Sequence, residues 1–200
     1  TMRRPVPLLA TIAFGLLAGS MTASAVDTPP RYRVDAGWPL ELPNHWIMGQ
    51  VGGLTVDARD HVWVLQRPRS ATPDELGRVQ SPPLSQCCAT TPAVLEFDSD
   101  GRLVQGWGGP GHVPAWPSSE HAIRVDGNGN VWIGGTAAQD SILKFSHDGK
   151  TLLWDFGHRP PKEGFRETNQ NTDMMVSKGR FNFDEDAREL YLVNQKRVLV

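Results

Sequence analysis

Two segments of this chain repeat each other, and that repetition restricts the possible folds more than any other feature. Residues 53–64 read GLTVDARDHVWV and residues 122–133 read AIRVDGNGNVWI. In each, an alternating apolar run ends in an aspartate (Asp57, Asp126), a polar turn follows, and Val-Trp-aliphatic returns. A second echo follows each copy, VLEFDSDGRLVQGW at 94–107 and ILKFSHDGKTLLW at 142–154. Alternation with period two marks half-buried strands, and strand–turn–strand units repeated along a chain mark a β-array such as a propeller.

The repeats divide the chain. Val51–Val56 and 61–66 read as one hairpin, and 93–107 as a second that turns at Asp98-Ser99-Asp100-Gly101. The Gly- and Pro-rich stretch 108–117 closes this first unit, and a second unit fills 120–157. A degenerate third copy is expected with Thr172–Val176 and Glu189–Val193 as its first strands and 196–200 as the start of the next. Between 67 and 92 lies an insertion too long for a plain connection. No helical periodicity competes. The expectation is an all-β propeller, six-bladed when complete, of which this chain holds about two and a half to three blades as the N-terminal part of a longer protein.

Ahead of the repeats, Met2-Arg3-Arg4, an apolar run from Leu8 to Ala18 and the small-residue box Ala23-Ser24-Ala25 have the anatomy of a secretory signal peptide over 1–25. The run is too short to span a bilayer. Residues 26–46 then form an extended lead-in, and 47–200 the repeat array. Loss of Arg3 and Arg4 takes the formal charge from −2 to −4, so no basic footprint for nucleic acid is present. The product is expected to be secreted or periplasmic, with no transmembrane anchor after cleavage.

The only cysteines, Cys87 and Cys88, are adjacent and cannot staple distant parts of the chain. A local vicinal disulfide, pairing with another chain and two free thiols are the alternatives. Asp57 and Asp126 recur with the repeat, which assigns them to their own turns. Trp63, Trp107, Trp132 and Trp154 are expected at equivalent repeat positions and therefore in packing. His61 and His147 fall in turns and are expected to face solvent, and Arg67, Arg69 and Arg78 with Asp74 and Glu75 to form a mixed-charge loop.

Taken together, GLTVDARDHVWVLQRP (53–68), CCATTPAVLEFDSDGRLVQGWGGPG (87–111) and WPSSEHAIRVDGNGNVWIGG (116–135) resemble the NHL-repeat β-propellers. Within these they look most like the branch of peptidyl-α-hydroxyglycine α-amidating lyase and its bacterial secreted relatives. The resemblance implies a catalytic arginine at Arg67, offset from Asp57 as in the lyase, and a zinc-binding histidine at His121, five residues before Asp126. The other two zinc histidines would fall beyond Val200, and Val193-Asn194-Gln195-Lys196 stands where the lyase has a catalytic tyrosine. Three functions follow as expectations: a propeller binding a small molecule or peptide, or a protein partner, in its central channel; a zinc-dependent amidating-lyase-like enzyme; and a calcium-dependent esterase or lactonase, on fold analogy alone.

Overall fold

The computed structural model describes residues 29–137, 140–156, 180–194 and 197–200. The expected signal segment 1–25 and the strand expected at Thr172–Val176 lie outside them. Thr1–Asp35 and Ala36–Val200 form separate units, and every described strand belongs to the second. The fold is all-β: among the described residues there are short 3-10 turns but no α-helix, and no helix is long and apolar enough to cross a membrane.

Strands β1 (Trp46–Ile47) and β4 (Ala89–Thr90) pair in parallel as a small two-stranded sheet. The first four-stranded sheet runs β2 (Gln50–Val56), β3 (Val62–Arg67), β5 (Val94–Phe97), β6 (Leu103–Trp107). The second runs β7 (Glu120–Val125), β8 (Val131–Gly135), β9 (Ile142–Phe145), β10 (Leu152–Phe156). A third holds β11 (Arg180–Asp184), β12 (Glu189–Asn194) and β13 (Arg197–Leu199). Within these three sheets neighbours are antiparallel and follow chain order.

Turn chemistry at fixed offsets sets the register. The Asp57 carboxylate accepts the backbone N–H groups of Arg59 and His61, and Asp126 those of Asn128 and Asn130. Each also accepts the indole N–H of the tryptophan six residues on, Trp63 at 3.1 Å and Trp132 at 2.9 Å. One side chain thereby closes the turn and pins the returning strand. Gly101 and Gly149, with φ of +84° and +70°, supply the left-handed step in the outer hairpins.

Each sheet packs on the next. Trp63, Leu65, Val94 and Trp107 of the first meet Ile123, Val131, Ile133, Leu143 and Phe145 of the second in one buried cluster. Ala122 and Ile142, on the opposite face of the second sheet, meet Phe181 and Leu192 of the third. Full burial of a residue such as Leu65 or Ile133 contributes roughly 1.5–3 kcal/mol. Gly52 and Gly53 let β2 approach β7: a Cβ on them would lie 2.6 Å from the Glu120 carbonyl oxygen and 2.9 Å from that of His121.

Two expectations change. The strand paired with Glu189–Asn194 is Arg180–Asp184, whose alternating Phe181 and Phe183 run into Asp184 as Val56 runs into Asp57. Trp107 and Trp154 are not equivalent. Trp107 lies opposite Val94, whereas Phe156 lies opposite the corresponding Ile142 and Trp154 opposite Lys144: the chain reaches the partner of Phe145 (Leu152) one residue later than that of Phe97 (Leu103), and the tryptophan then follows too soon to take the same place. Trp107 is buried in the seam and Trp154 is exposed.

Gly149→Ala should be costly, since a Cβ there would overlap the Trp107 indole at a positive φ. A loss of about 3 kcal/mol is expected from overpacking and the left-handed backbone together. Gly111→Ala, also at positive φ but with nothing within 4 Å, should cost about 1 kcal/mol. Denaturant unfolding of the two variants checks the difference.

Candidate functional site

The two ends of the sheets carry different chemistry. At one end, where β2 and β7 begin and β3 stops, lie Arg67 and His121. Arg67 Nε donates to the backbone carbonyl of Glu120 at 2.7 Å, and Nη1 reaches Gln50 Oε1 at 3.4 Å. Its own carbonyl accepts from the Ser70 hydroxyl at 2.7 Å, and the same hydroxyl oxygen accepts the Gln50 N–H at 2.7 Å. The guanidinium is thus held by neutral oxygens, with no carboxylate partner among the described residues. Arg59 and Arg102, by contrast, are each paired with acids.

His121 is the next residue after Glu120, so the structure brings both sequence candidates to one place. The β7–β8 register shifts between Glu120 and Ala122, which sets His121 on a β-bulge. The β2–β3 register shifts between Val51 and Gly53, and the two irregularities meet where Gly52 lies against His121. Bulges of this kind re-aim a side chain and are over-represented beside active sites. Arg69, expected in a solvated loop, instead crosses to this end and donates to the carbonyls of Pro117 and Ser118 and to buried Glu120. Glu120 also accepts the Trp116 indole N–H at 2.9 Å. No motif betrays the Arg69–Glu120 pair, because its partners are 51 residues apart.

The opposite end is a network around fully buried Glu96. Its Oε1 accepts from Arg59 Nη2 and His61 Nδ1, each at 2.7 Å, and its Oε2 from Gln105 Nε2 at 2.5 Å. His147, from the second sheet, places Nε2 3.3 Å from Glu96 Oε2 and Nδ1 3.1 Å from the Gly129 carbonyl. His61 and His147 stay at the turns and keep part of their side chains exposed, 21% and 38%, but both also belong to this network. Pairing of β3 with β5, which the turn reading ignores, puts a buried carboxylate beneath them.

Asp57, His61 and Glu96 each offer one potential ligand atom, all within 4.8 Å of one another. A guanidinium already bridges the two acids, since Arg59 Nη2 also lies 2.8 Å from Asp57 Oδ2. The chain itself supplies the positive charge there. His121 belongs to no such group among the described residues. A zinc site needs three or four protein ligands, and one imidazole does not fit that requirement.

Cys87 and Cys88 are joined by a disulfide in the insertion, whose return strand β4 pairs with β1. Neither reaches Arg67 through any hydrogen bond described. Comparison with known proteins finds no family model that matches the chain and no curated protein similar to it.

Burial pushes the Asp57 carboxyl up, but the Trp63 indole, the Arg59 side chain and two backbone N–H groups outweigh it and hold the group at about 2, against an ordinary 3.8. Because the folded value is the lower one, the stabilisation is present above the ordinary value and is lost as pH falls towards about 2. Asp57→Asn should therefore lower stability by about 2 kcal/mol at neutral pH. The deficit should shrink on acidification over that window in a urea-unfolding series; a constant deficit would assign the loss to packing instead.

Proposed function

We propose that this chain forms part of an exported NHL-type β-propeller that binds a small molecule or peptide at Arg67, through a carboxylate or similar anionic group on the ligand. The observation that carries the reading is a half-buried guanidinium held in place by neutral oxygens. Its geometry is fixed while its charge is left for a ligand, and charge-assisted pairing with a carboxylate is the interaction such a fork favours. In a propeller the innermost strand of each sheet lines the central channel. The first strands of the first two sheets, β2 and β7, are those whose starting ends meet beside Arg67. Export is supported by the charged, apolar and small-residue segments of 1–25.

The test compares a short peptide with a free C-terminal carboxylate against its C-terminal amide, by calorimetric titration. The carboxylate form should bind, the amide more weakly, and Arg67→Ala should weaken the carboxylate form by about tenfold or more. Arg67→Lys should restore part of the loss, since a point charge replaces the fork. Equal affinity for both peptides, or an indifferent Arg67→Ala, would sink the assignment.

One observation favours a second reading. Arg67 hydrogen-bonds to the residue next to His121, the two positions that correspond to lyase site residues. An amidating-lyase-like reaction would cleave a peptidyl-α-hydroxyglycine to the peptide amide and glyoxylate, and Arg67 would hold the substrate carboxylate or steady the developing oxyanion. Glyoxylate release that disappears in Arg67→Ala would establish it; binding without release leaves the first reading standing.

A further inference from the structure

We infer that the Cys87–Cys88 disulfide is a site of thiol–disulfide exchange, reduced by a dithiol, and that its reduction loosens the Arg67 site. The coupling to a ligand rests on the Arg67 reading; the exchange site does not. The two cysteines are the only ones in the sequence and are adjacent, so their bond encloses no loop. A disulfide stabilises a fold mainly by constraining the loop it closes in the unfolded chain, and this one has no loop to close. Cys87 is exposed and Cys88 half-buried. Access is the first requirement for exchange, and Cys87 meets it.

One thiolate of the dithiol attacks Sγ of Cys87, forming a mixed disulfide and expelling Cys88 as its thiolate. The second thiol then attacks the reductant sulfur of that mixed disulfide, which releases Cys87 and leaves the reductant as a cyclic disulfide. Two electrons pass to the cysteine pair. The two protons that the dithiol gives up end on the two cysteine thiols.

The surroundings of the pair give this exchange a consequence. Strand β4, Ala89–Thr90, begins at the residue after Cys88. It pairs with β1, and the Thr91 N–H extends the contact by donating to the Ile47 carbonyl at 3.0 Å. On the other side, a Cβ on Gly77 would lie 2.9 Å from the Cys87 carbonyl oxygen, so the insertion packs closely there. Arg78, next to Gly77, donates to the Asn44 carbonyl at 2.7 Å, just ahead of β1. Both flanks of the disulfide therefore bear on the segment that leads into β2.

Fully buried Gln66 carries that contact to Arg67. Its Nε2 donates to the carbonyls of Thr91 and Pro92 at 2.9 and 3.1 Å, and its Oε1 accepts the Gly49 N–H at 2.9 Å. A Cβ on Gly49 would lie 2.5 Å from the Arg67 carbonyl oxygen. Gln50, the next residue, is the one that Arg67 Nη1 reaches. Opening the ring between the adjacent cysteines frees the backbone at the start of β4. Gln66 then loses fixed acceptors, and the frame that aims the guanidinium loosens.

The test uses the full chain, oxidised or treated with dithiothreitol, beside a Cys87→Ser/Cys88→Ser variant. Under native conditions dithiothreitol should release two thiols per chain, counted with a chromogenic disulfide. Amide hydrogen exchange should quicken about tenfold in 46–50 and 89–92 and stay unchanged in β8, which excludes global unfolding. The double variant should exchange like the reduced chain and ignore dithiothreitol. Affinity for the C-terminal carboxylate peptide should fall about fivefold on reduction, as for an aimed arginine populated about one-fifth of the time. Thiols that appear only on unfolding, or exchange in 46–50 indifferent to reduction, would overturn the inference. Faster exchange with unchanged peptide affinity would overturn the coupling to Arg67. Should the oxidised chain bind no carboxylate peptide, the Arg67 reading fails instead, and thiol release with the exchange pattern still decides the rest.

Discussion

A sheet with apolar side chains on both faces cannot stand alone in water, and the second sheet here is such a sheet. Ile123, Ile133 and Leu143 point to one side and Ala122 and Ile142 to the other, and all are buried. Neighbours on both sides are therefore a condition of its stability. Much else follows from that need. Gly52 and Gly53 give up side chains so that the inner strands can close, and Gly149 gives one up for Trp107. The lead-in covers part of the first sheet, where Trp38 packs on Phe97 beside Leu42 and Met48, and the insertion reaches across to the second sheet through Arg69.

Charged groups at the seams obey a matching rule: each one buried there is paired, although the Trp107 indole N–H has no hydrogen-bond partner among the described residues. The third-strand position opposite the repeat tryptophan holds Glu96 in the first sheet and Lys144 in the second. Glu96 recruits Arg59, His61 and Gln105. Lys144 lies 2.9 Å from Asp126 and 4.7 Å above the Trp132 ring. Opposite charges thus occupy one repeat position, each neutralised by a different local solution. A carboxylate left without donors at Glu96 would cost several kcal/mol on the order set by charge burial. That explains why the turn after Asp57 reads Ala-Arg-Asp-His while the turn after Asp126 reads Gly-Asn-Gly-Asn.

The hairpins were legible because alternation, an aspartate and a tryptophan recur at constant spacing, and local hydrogen bonds enforce that spacing. Strand β11 was hidden by its quality as a repeat: its tryptophan place holds Tyr191, whose hydroxyl donates to Glu189 at 2.5 Å instead of to an aspartate. Leu190 lies opposite Phe183 where Val62 lies opposite Val56, so the chain takes seven residues instead of six to return and Tyr191 falls one place later in sequence than a repeat tryptophan. The tryptophans of the outer strands do not align because the connection from Phe145 to its partner Leu152 is one residue longer than that from Phe97 to Leu103, and no residue type announces the difference. Contacts between Arg69 and Glu120, or His147 and Glu96, join segments far apart in sequence, so only the stacking of sheets reveals them.

The same distinction separates structural from functional residues at the Arg67 end. Side chains that hold the fold recur in every copy, as Asp57 and Asp126 do. A residue that breaks the repeat, at no visible gain to its own sheet, needs another reason. Ten residues after the repeat aspartate the first copy has Arg67 and the second Thr136, which merely bonds Ser119 across a 2.9 Å hydroxyl pair. Five residues before it the first copy has Gly52 and the second His121. These two departures are neighbours in space, since a Cβ on Gly52 would lie 3.4 Å from the His121 Cα. One copy empties the position that the other fills, and both do so at a bulge beside Arg67, which has no carboxylate partner among the described residues. Drift alone would scatter such exceptions over the surface; here they converge on the end where the inner strands open.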